Sequence, residues 1–264
     1  MLKAVILAAG KGIRMKSDKP KVVHQVLGKP MVYYSIEAAK AAGAQQVCVI
    51  VGYKADEVKA AVSDSTSGTS VSYALQAEQL GTGHAVKCAS EFIGDEGDVI
   101  ILCGDTPLVT GATLKKALDV HRQHCNGATV ISAVLEDSFG YGRIIKDGDS
   151  LIEIVEEKDA SKEQKKVKEV NSGMYIFNAK ALNKALLMIS NDNAQGEYYL
   201  PDAISIIRDM GLSCMAVTMD DADEIRGVNT LEQLSEAEEI MKRRSFVQAG
   251  EATTYTRGGE LPDR

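Results

Sequence analysis

The chain has 264 residues, 45% of them hydrophobic and 25% charged, and carries a formal net charge of -7. These values suit a globular α/β chain of one large or two small domains and show no disorder signature. The acidic balance, the absence of Trp and the 5% aromatic content argue against a nucleic-acid partner, and no apolar stretch approaches the length of a membrane span.

Residues 2–9, Leu-Lys-Ala-Val-Ile-Leu-Ala-Ala, read as a short buried strand that runs into Gly10-Lys11-Gly12-Ile13-Arg14-Met15 and then Lys19-Pro20-Lys21. A strand ending in a glycine turn can expose several backbone N–H groups at one spot, a setting for a polyphosphate. Lys11, Arg14, Lys16, Lys19 and Lys21 stand against the one acid Asp18 here, in a chain that is acidic overall. Such a local cluster points to a small anionic ligand. The loop matches neither common phosphate fingerprint. Met15 stands where the dinucleotide pattern needs its third glycine, which disfavours an NAD-dependent dehydrogenase, and there is no Gly-Lys-Ser/Thr.

Further along, strands are predicted at Ala4–Ala8, Gln46–Val51, Val71–Leu75, Val99–Leu102 and Ala128–Leu135. Amphipathic helices are predicted between them at Met31–Ala42, Ala55–Val62, Gly83–Phe92 and Thr113–His124. This alternation predicts a three-layer α/β fold, a mostly parallel Rossmann-like sheet flanked by helices. The second half changes character. Arg143–Lys146 and Leu151–Val155 flank the turn signal Asp147-Gly148-Asp149, and Glu157–Glu169 is a charged, solvated run. Gly173–Asn178 reads as a strand, Ala179–Ile189 and Leu200–Met210 as helices, and Ser213–Val217 as a closing strand. This half is expected to wall or cover the nucleotide-binding half. Thr230-Leu231-Glu232-Gln233 resembles a capping box that opens a helix to about Arg244, and residues 246–264 read as a polar tail.

The N-terminal apolar run is too short for a secretory segment. Cys48, Cys88, Cys103, Cys125 and Cys214 include no Cys-x-x-Cys pair, so reduced thiols in a cytoplasmic protein are expected. His121, His124 and Cys125 lack a fourth ligand and read as a solvated helix face; Asp220, Asp221, Asp223 and Glu224 read as a solvated loop.

Several separated motifs occur together: Leu75 to Ala85 (Leu-Gln-Ala-Glu-Gln-Leu-Gly-Thr-Gly-His-Ala), Gly104-Asp105-Thr106-Pro107-Leu108, Gly140-Tyr141-Gly142-Arg143-Ile144, Ile154 to Asp159, Glu169-Val170-Asn171-Ser172-Gly173, Gly196-Glu197-Tyr198-Tyr199-Leu200 and Gly227-Val228-Asn229. With the G-x-G-x-R and Pro-Lys loop, their order and spacing resemble the sugar-phosphate nucleotidyltransferases. The match is to the uridylyltransferase domain of bacterial bifunctional N-acetylglucosamine-1-phosphate uridylyltransferase/glucosamine-1-phosphate acetyltransferases, and it covers residues 1 to about 244.

The resemblance implies the nucleotide-diphospho-sugar transferase type of fold, with a catalytic domain over 1–228, a helix over 229–245 packed on it, and the tail over 246–264. It also implies Mg²⁺-dependent transfer of UMP from UTP to N-acetylglucosamine 1-phosphate, with pyrophosphate released. Leu7, Ala8, Ala9 and Gly10 would line the uridine and phosphate site through their backbone. Arg14 and Lys21 would hold the triphosphate and act as the catalytic cations. Gln76 would read the uracil edge, with Gly81 and Thr82 completing that wall. Asp105 and Asn229 would hold Mg²⁺. Gly104, Asp105, Gly142, Glu156, Asn171 and Asn229 would bind the sugar phosphate, with Tyr198 and Tyr199 near the pocket. The family loop usually has threonine at Ile13 and often at Ser172. The hexapeptide-repeat β-helix of the bifunctional proteins is not found in these residues, so acetyl transfer is not carried over. The acetylated substrate would come from an acetyltransferase partner or a separate acetylating enzyme. The alternatives are a nucleotidyltransferase for another sugar 1-phosphate and a non-catalytic nucleotide-sugar-binding protein.

Overall fold

The computed structural model describes residues 1–66 and 70–256, the stretch 246–256 as backbone only. In chain order its elements are β1 (Leu2–Ala8), β2 (Gln25–Val26), β3 (Lys29–Pro30), α1 (Met31–Ala41), β4 (Gln46–Val51), α2 (Ala55–Ser65), β5 (Val71–Leu75), α3 (Thr82–Lys87), α4 (Ser90–Ile93), β6 (Asp98–Cys103) and α5 (Gly111–Gln123). There follow β7 (Ala128–Val134), β8 (Arg143–Asp147), β9 (Ser150–Val155), β10 (Glu169–Asn178), α6 (Ala179–Leu186), α7 (Asp202–Asp209), β11 (Cys214–Thr218) and α8 (Leu231–Thr256).

The main sheet runs β11-β7-β10-β6-β1-β4-β5. β5, β4, β1 and β6 are mutually parallel, β11 is parallel to β7, and β10 is antiparallel to both β6 and β7. The chain is thus a mixed, mostly parallel α/β sheet with helices on both faces. The alternation of β1 shows why. Ala4 and Ile6 pack into one fully buried layer with Ile36 of α1 and Leu114 of α5, while Val5 faces the opposite layer with Val86 of α3 and Leu182 of α6. Val99 to Leu102 are fully buried, as a central strand covered on both faces must be.

Register sets the level of the site. Leu7 lies beside Ile50 and Cys103, so β1, β4 and β6 end together, and the Gly104 N–H donates to the Leu7 carbonyl at 2.9 Å. Loops at the carboxyl ends of parallel strands are where open α/β sheets bind ligands.

Some sequence expectations need correction. The helix expected over Gly83–Phe92 breaks into α3 and α4. Cys88 and Ala89 donate to carbonyls three residues back, which tightens the backbone there. The last helix runs past Arg244 to Thr256, through residues read as tail; Gly250 costs a helix only about 1 kcal/mol and does not stop it. Residues 257–264 of that tail lie outside the described residues. Glu224 is buried and not on a solvated loop, because its carboxylate accepts from Thr110 N at 2.9 Å and Thr113 Oγ1 at 2.8 Å at the start of α5. At the expected capping box, Thr230 Oγ1 accepts from Gln233 N, while Gln233 Oε1 accepts from Asn229 N.

Candidate active site

A cleft of about 280 Å³ opens at the carboxyl ends of β1, β5 and β6. Leu7, Ala8, Ala9 and Gly10 form its floor, Gln76, Gly81 and Thr82 one wall, and Lys21 and Asp105 the other. The structure therefore brings the residues expected to contact a nucleotide to one cleft, except Arg14, which is not among its lining residues. Gln79, Cys103 and Glu197 also line the cleft, with no role expected of them from sequence.

The Gln76 side chain is buried and oriented. Its Nε2 donates to the Gly81 carbonyl at 3.1 Å and lies 3.2 Å from His84 Nδ1. A carbonyl partner assigns the NH₂ end, so Oε1 is the end left to a ligand. Gly81 has φ 109°, and a Cβ there would sit 2.6 Å from the Tyr198 carbonyl oxygen; only glycine lets the wall close on residue 198. Thr82 Oγ1 accepts from Leu200 N at 3.0 Å and so ties α3 to that same segment.

The opposite wall is a charge cluster. Gly12, at φ 66°, allows the loop to fold onto Lys21, since a Cβ there would lie 2.5 Å from Lys21 Cβ. Lys21 Nζ donates to Asn229 Oδ1 at 2.9 Å and pairs with Asp105 Oδ2. Arg14 Nη2 donates to the same Asn229 oxygen at 2.8 Å. Asn229 Nδ2 donates to the Gly227 carbonyl, which aims its oxygen at the cations, and Val228 N donates to the Asp105 carbonyl at 2.9 Å, which joins the two acceptor segments. Burial, and then the Asp105 carboxylate, push the Cys103 thiol up to about 12, which disfavours its thiolate.

The expected sugar residues form a second group. Arg143 pairs with Val155 of β9 and Val170 of β10, so Gly142, Glu156 and Asn171 sit side by side one residue further on. Asn171 N donates to the Gly142 carbonyl at 2.8 Å. The Asn171 amide is held at both ends, Nδ2 donating to Tyr175 Oη at 2.7 Å and Oδ1 accepting from Gly173 N at 3.0 Å. Burial and the neighbouring Asp202 and Asp159 carboxylates raise the Glu156 pKa above its usual range, and Arg143 pulls it back. Asp202 is itself pushed up to about 6 by burial and Asp159. Tyr199 is buried, its hydroxyl without a partner among the described residues, whereas the Tyr198 ring lies beside His84. Gly173 links the two groups by accepting a hydrogen bond from Cys103 Sγ at 3.6 Å.

Sequence reasoning missed Arg143 and Asp202 as neighbours of Glu156. Arg143 lay inside a motif already singled out, but nothing local reveals that its side chain is buried. His121 also departs from the solvated reading. It is buried, with Nδ1 2.9 Å from Thr129 Oγ1 and Nε2 3.6 Å from Asp98, while His124 and Cys125 are exposed. Among the described residues no group of three or more His, Cys, Asp or Glu side chains could hold a metal, and no helix is long and apolar enough to cross a membrane.

A family model described as nucleotidyl transferase matches residues 3–237. The bifunctional protein GlmU of Caldanaerobacter subterraneus subsp. tengcongensis is 53% identical over 244 residues, 92% of this chain and 52% of the relative. The bifunctional protein GlmU of Thermoanaerobacter pseudethanolicus is 51% identical over the same shares. The chain thus spans about half the length of the curated relatives it matches. Among solved structures, a UDP-glucose pyrophosphorylase complexed with UDP-glucose superposes with a TM-score of 0.71 at 19% identity, covering 92% of this chain and 100% of that one. At that identity the likeness speaks for the fold.

Proposed function

The chain belongs to the nucleotidyl transferase family, and from that premise we propose that it transfers UMP from UTP to N-acetylglucosamine 1-phosphate and releases pyrophosphate. The observation that carries the reading is the convergence of Arg14, Lys21, Asp105 and Asn229 at the mouth of the cleft. Two cations there face one carboxylate, an excess of positive charge suited to a triphosphate.

In this reading the glycine turn and the Ala8–Gly10 backbone receive the nucleotide, and Gln76 Oε1 accepts from the uracil edge. Lys21 and Arg14 hold the triphosphate and balance the charge that builds at the α-phosphoryl group as the sugar phosphate oxygen attacks. No protein nucleophile is required, because positioning and charge neutralisation carry such transfers. Gly142, Glu156 and Asn171 orient the sugar, with Gly104 and Asp105 nearer its phosphate.

Nucleotidyltransferases of this family typically use a divalent metal. Asp105 Oδ2 and Asn229 Oδ1 already share one cation, the Lys21 ammonium, so the two oxygens can meet on a single positive centre. That donor set fits Mg²⁺, which keeps several waters and takes few protein oxygens. When bound, the ion would supply charge neutralisation between the two phosphates.

A catalytic unit over 1–228 with α8 packed on it belongs to the same proposal. It is supported by Ala237 and Ile240 burying against Val26, Met31 and Leu108. A cytoplasmic location belongs to it too, supported by five free thiols. The test is pyrophosphate release across UTP and other nucleotides with acetylated and unacetylated sugar 1-phosphates. Release that needs UTP, N-acetylglucosamine 1-phosphate and Mg²⁺ together is expected. Release with another sugar phosphate reassigns the substrate, and nucleotide-sugar binding without release overturns the catalytic reading.

A further inference from the structure

We propose that Arg143 is a positioning residue for the second substrate: its buried guanidinium fastens the 140–142 turn to Glu157 and thereby fixes Gly142 and Glu156 without touching the ligand. The proposal rests on the uridylyl-transfer reading above.

Arg143 is 2% exposed and among the largest fully buried side chains of the protein. Burying a guanidinium is costly unless its donors are met, and apolar residues of similar volume often serve stability as well or better. Its contacts show what it does instead. Nη1 donates to the Tyr141 carbonyl, and Nη2 pairs with Glu157 Oε2 at 2.6 Å. The same Glu157 oxygen accepts from Gly140 N at 3.3 Å, and Lys165 approaches Glu157 Oε1 at 3.3 Å. One guanidinium thus gathers residues 140 and 141, which lead into Gly142, and residue 157, which follows Glu156. Nε is buried with no partner among the described residues, so the site is not built for full satisfaction of this arginine.

The backbone adds a second constraint. Arg143 pairs with Val155 and Val170, the residues directly before Glu156 and Asn171. Any displacement of Arg143 is therefore passed to all three sugar residues at once. Tolerance is small, for a Cβ on Gly142 would stand 3.1 Å from Glu156 Oε1. Electrostatics point the same way. Glu156 is faced by Asp202 of α7, by Asp159 of the following turn, by Tyr175 of β10 and by Tyr199, and Arg143 of β8 is the cation that opposes the two carboxylates.

The experiment is steady-state pyrophosphate release by full-length Arg143→Met, Arg143→Lys and Glu157→Gln, varying each substrate in turn over a pH series, with thermal melts alongside. Arg143→Met is expected to raise KM for N-acetylglucosamine 1-phosphate by about ten- to a hundredfold while KM for UTP stays within about twofold. The acid limb of kcat/KM for the sugar phosphate should move to higher pH, since Glu156 loses its cation. Arg143→Lys keeps the charge and should hold the limb near its wild-type position, with an intermediate KM. Glu157→Gln should reproduce the selective rise in KM, and it carries the test with Arg143→Lys if the methionine variant does not fold. Unchanged sugar KM in all folded variants, or an equal rise in both KM values, overturns the proposal alone. A wild type that releases no pyrophosphate with any sugar 1-phosphate overturns the uridylyl-transfer reading and this proposal with it.

Discussion

Lys21 Nζ donates to Asn229 Oδ1 at 2.9 Å across 208 positions of sequence. The contact joins the loop after β1 to the segment before α8, and the Val228 to Asp105 backbone bond brings the end of β6 to the same point. Arg14 shares the Asn229 oxygen, so two full positive charges rest on one carboxylate and one neutral amide. That imbalance is what an incoming polyphosphate would correct.

Replacing Lys21 by Met should therefore lower kcat by about 10²–10³, the usual effect of removing a group that meets developing charge. The thermal midpoint should move little by comparison. Asn229→Ala removes the shared acceptor and should raise the Mg²⁺ concentration needed for half-maximal rate by about tenfold. Pyrophosphate release against Mg²⁺ concentration checks both. A Lys21→Met enzyme with full kcat would remove the cation from the mechanism.

The wall that carries Gln76 depends on a backbone shape rather than a side chain. Gly81→Ala would place a methyl 2.6 Å from the Tyr198 carbonyl oxygen and 2.8 Å from Tyr198 N, at a φ of 109° that alanine rarely adopts. Strain and overpacking of this kind each cost about 1–3 kcal/mol. A drop in thermal midpoint of at least several degrees and a raised KM for UTP are expected, measured by calorimetry and initial rates. An unchanged KM for UTP would separate Gly81 from nucleotide binding.

Some of this architecture was legible in the residues and some was not. Gln46–Val51 and Val71–Leu75 form strands with the bounds expected, because short runs rich in β-branched and apolar residues between turn signals leave few alternatives. The loop over Gly10 to Lys21 was legible because its glycines and cations are adjacent in sequence. His121, Glu224 and Arg143 were not, since each is polar and its partners lie on other elements that the fold alone brings beside it: Asp98 and Thr129, Thr110 and Thr113, and the turn at Glu157. The grouping of Gly142, Glu156 and Asn171 likewise depends on the register of three strands, which no local pattern encodes. The extension of α8 past Arg244 lacks the apolar periodicity that marks a helix in sequence.

His121 and Arg122 give the fold an acid-sensitive joint. The contact from His121 Nε2 and then the Arg122 bond at 2.8 Å hold Asp98 below its ordinary carboxylate range, against the opposing effect of burial. A carboxylate depressed on folding adds stability that is present above its unfolded value of about 3.9 and is lost as pH falls through the lower folded value. Asp98→Asn should melt below wild type at pH 7, and the gap should close as pH drops below about 4. Melting curves over that range test it; a gap independent of pH would mean that charge at Asp98 plays no part.

Asp202 has the opposite sign. Burial and then Asp159 push it up to about 6, so the folded state binds its proton more readily than the unfolded chain does. The ionised form is a cost above that value; the cost begins to shrink as pH falls through about 6 and is gone only below the unfolded value of about 3.9. Asp202 opens α7, where the helix N-terminus favours an anion, so burial and Asp159 act against that help. Asp202→Asn should therefore melt above wild type at pH 8, with the difference shrinking toward pH 5. The same change relieves Glu156 of one carboxylate neighbour, so the acid limb of kcat/KM for the sugar phosphate should move to lower pH. The two readouts are independent. A stabilised variant whose acid limb stays in place would separate Asp202 from the sugar subsite, and a variant less stable at pH 8 would show that the helix terminus dominates.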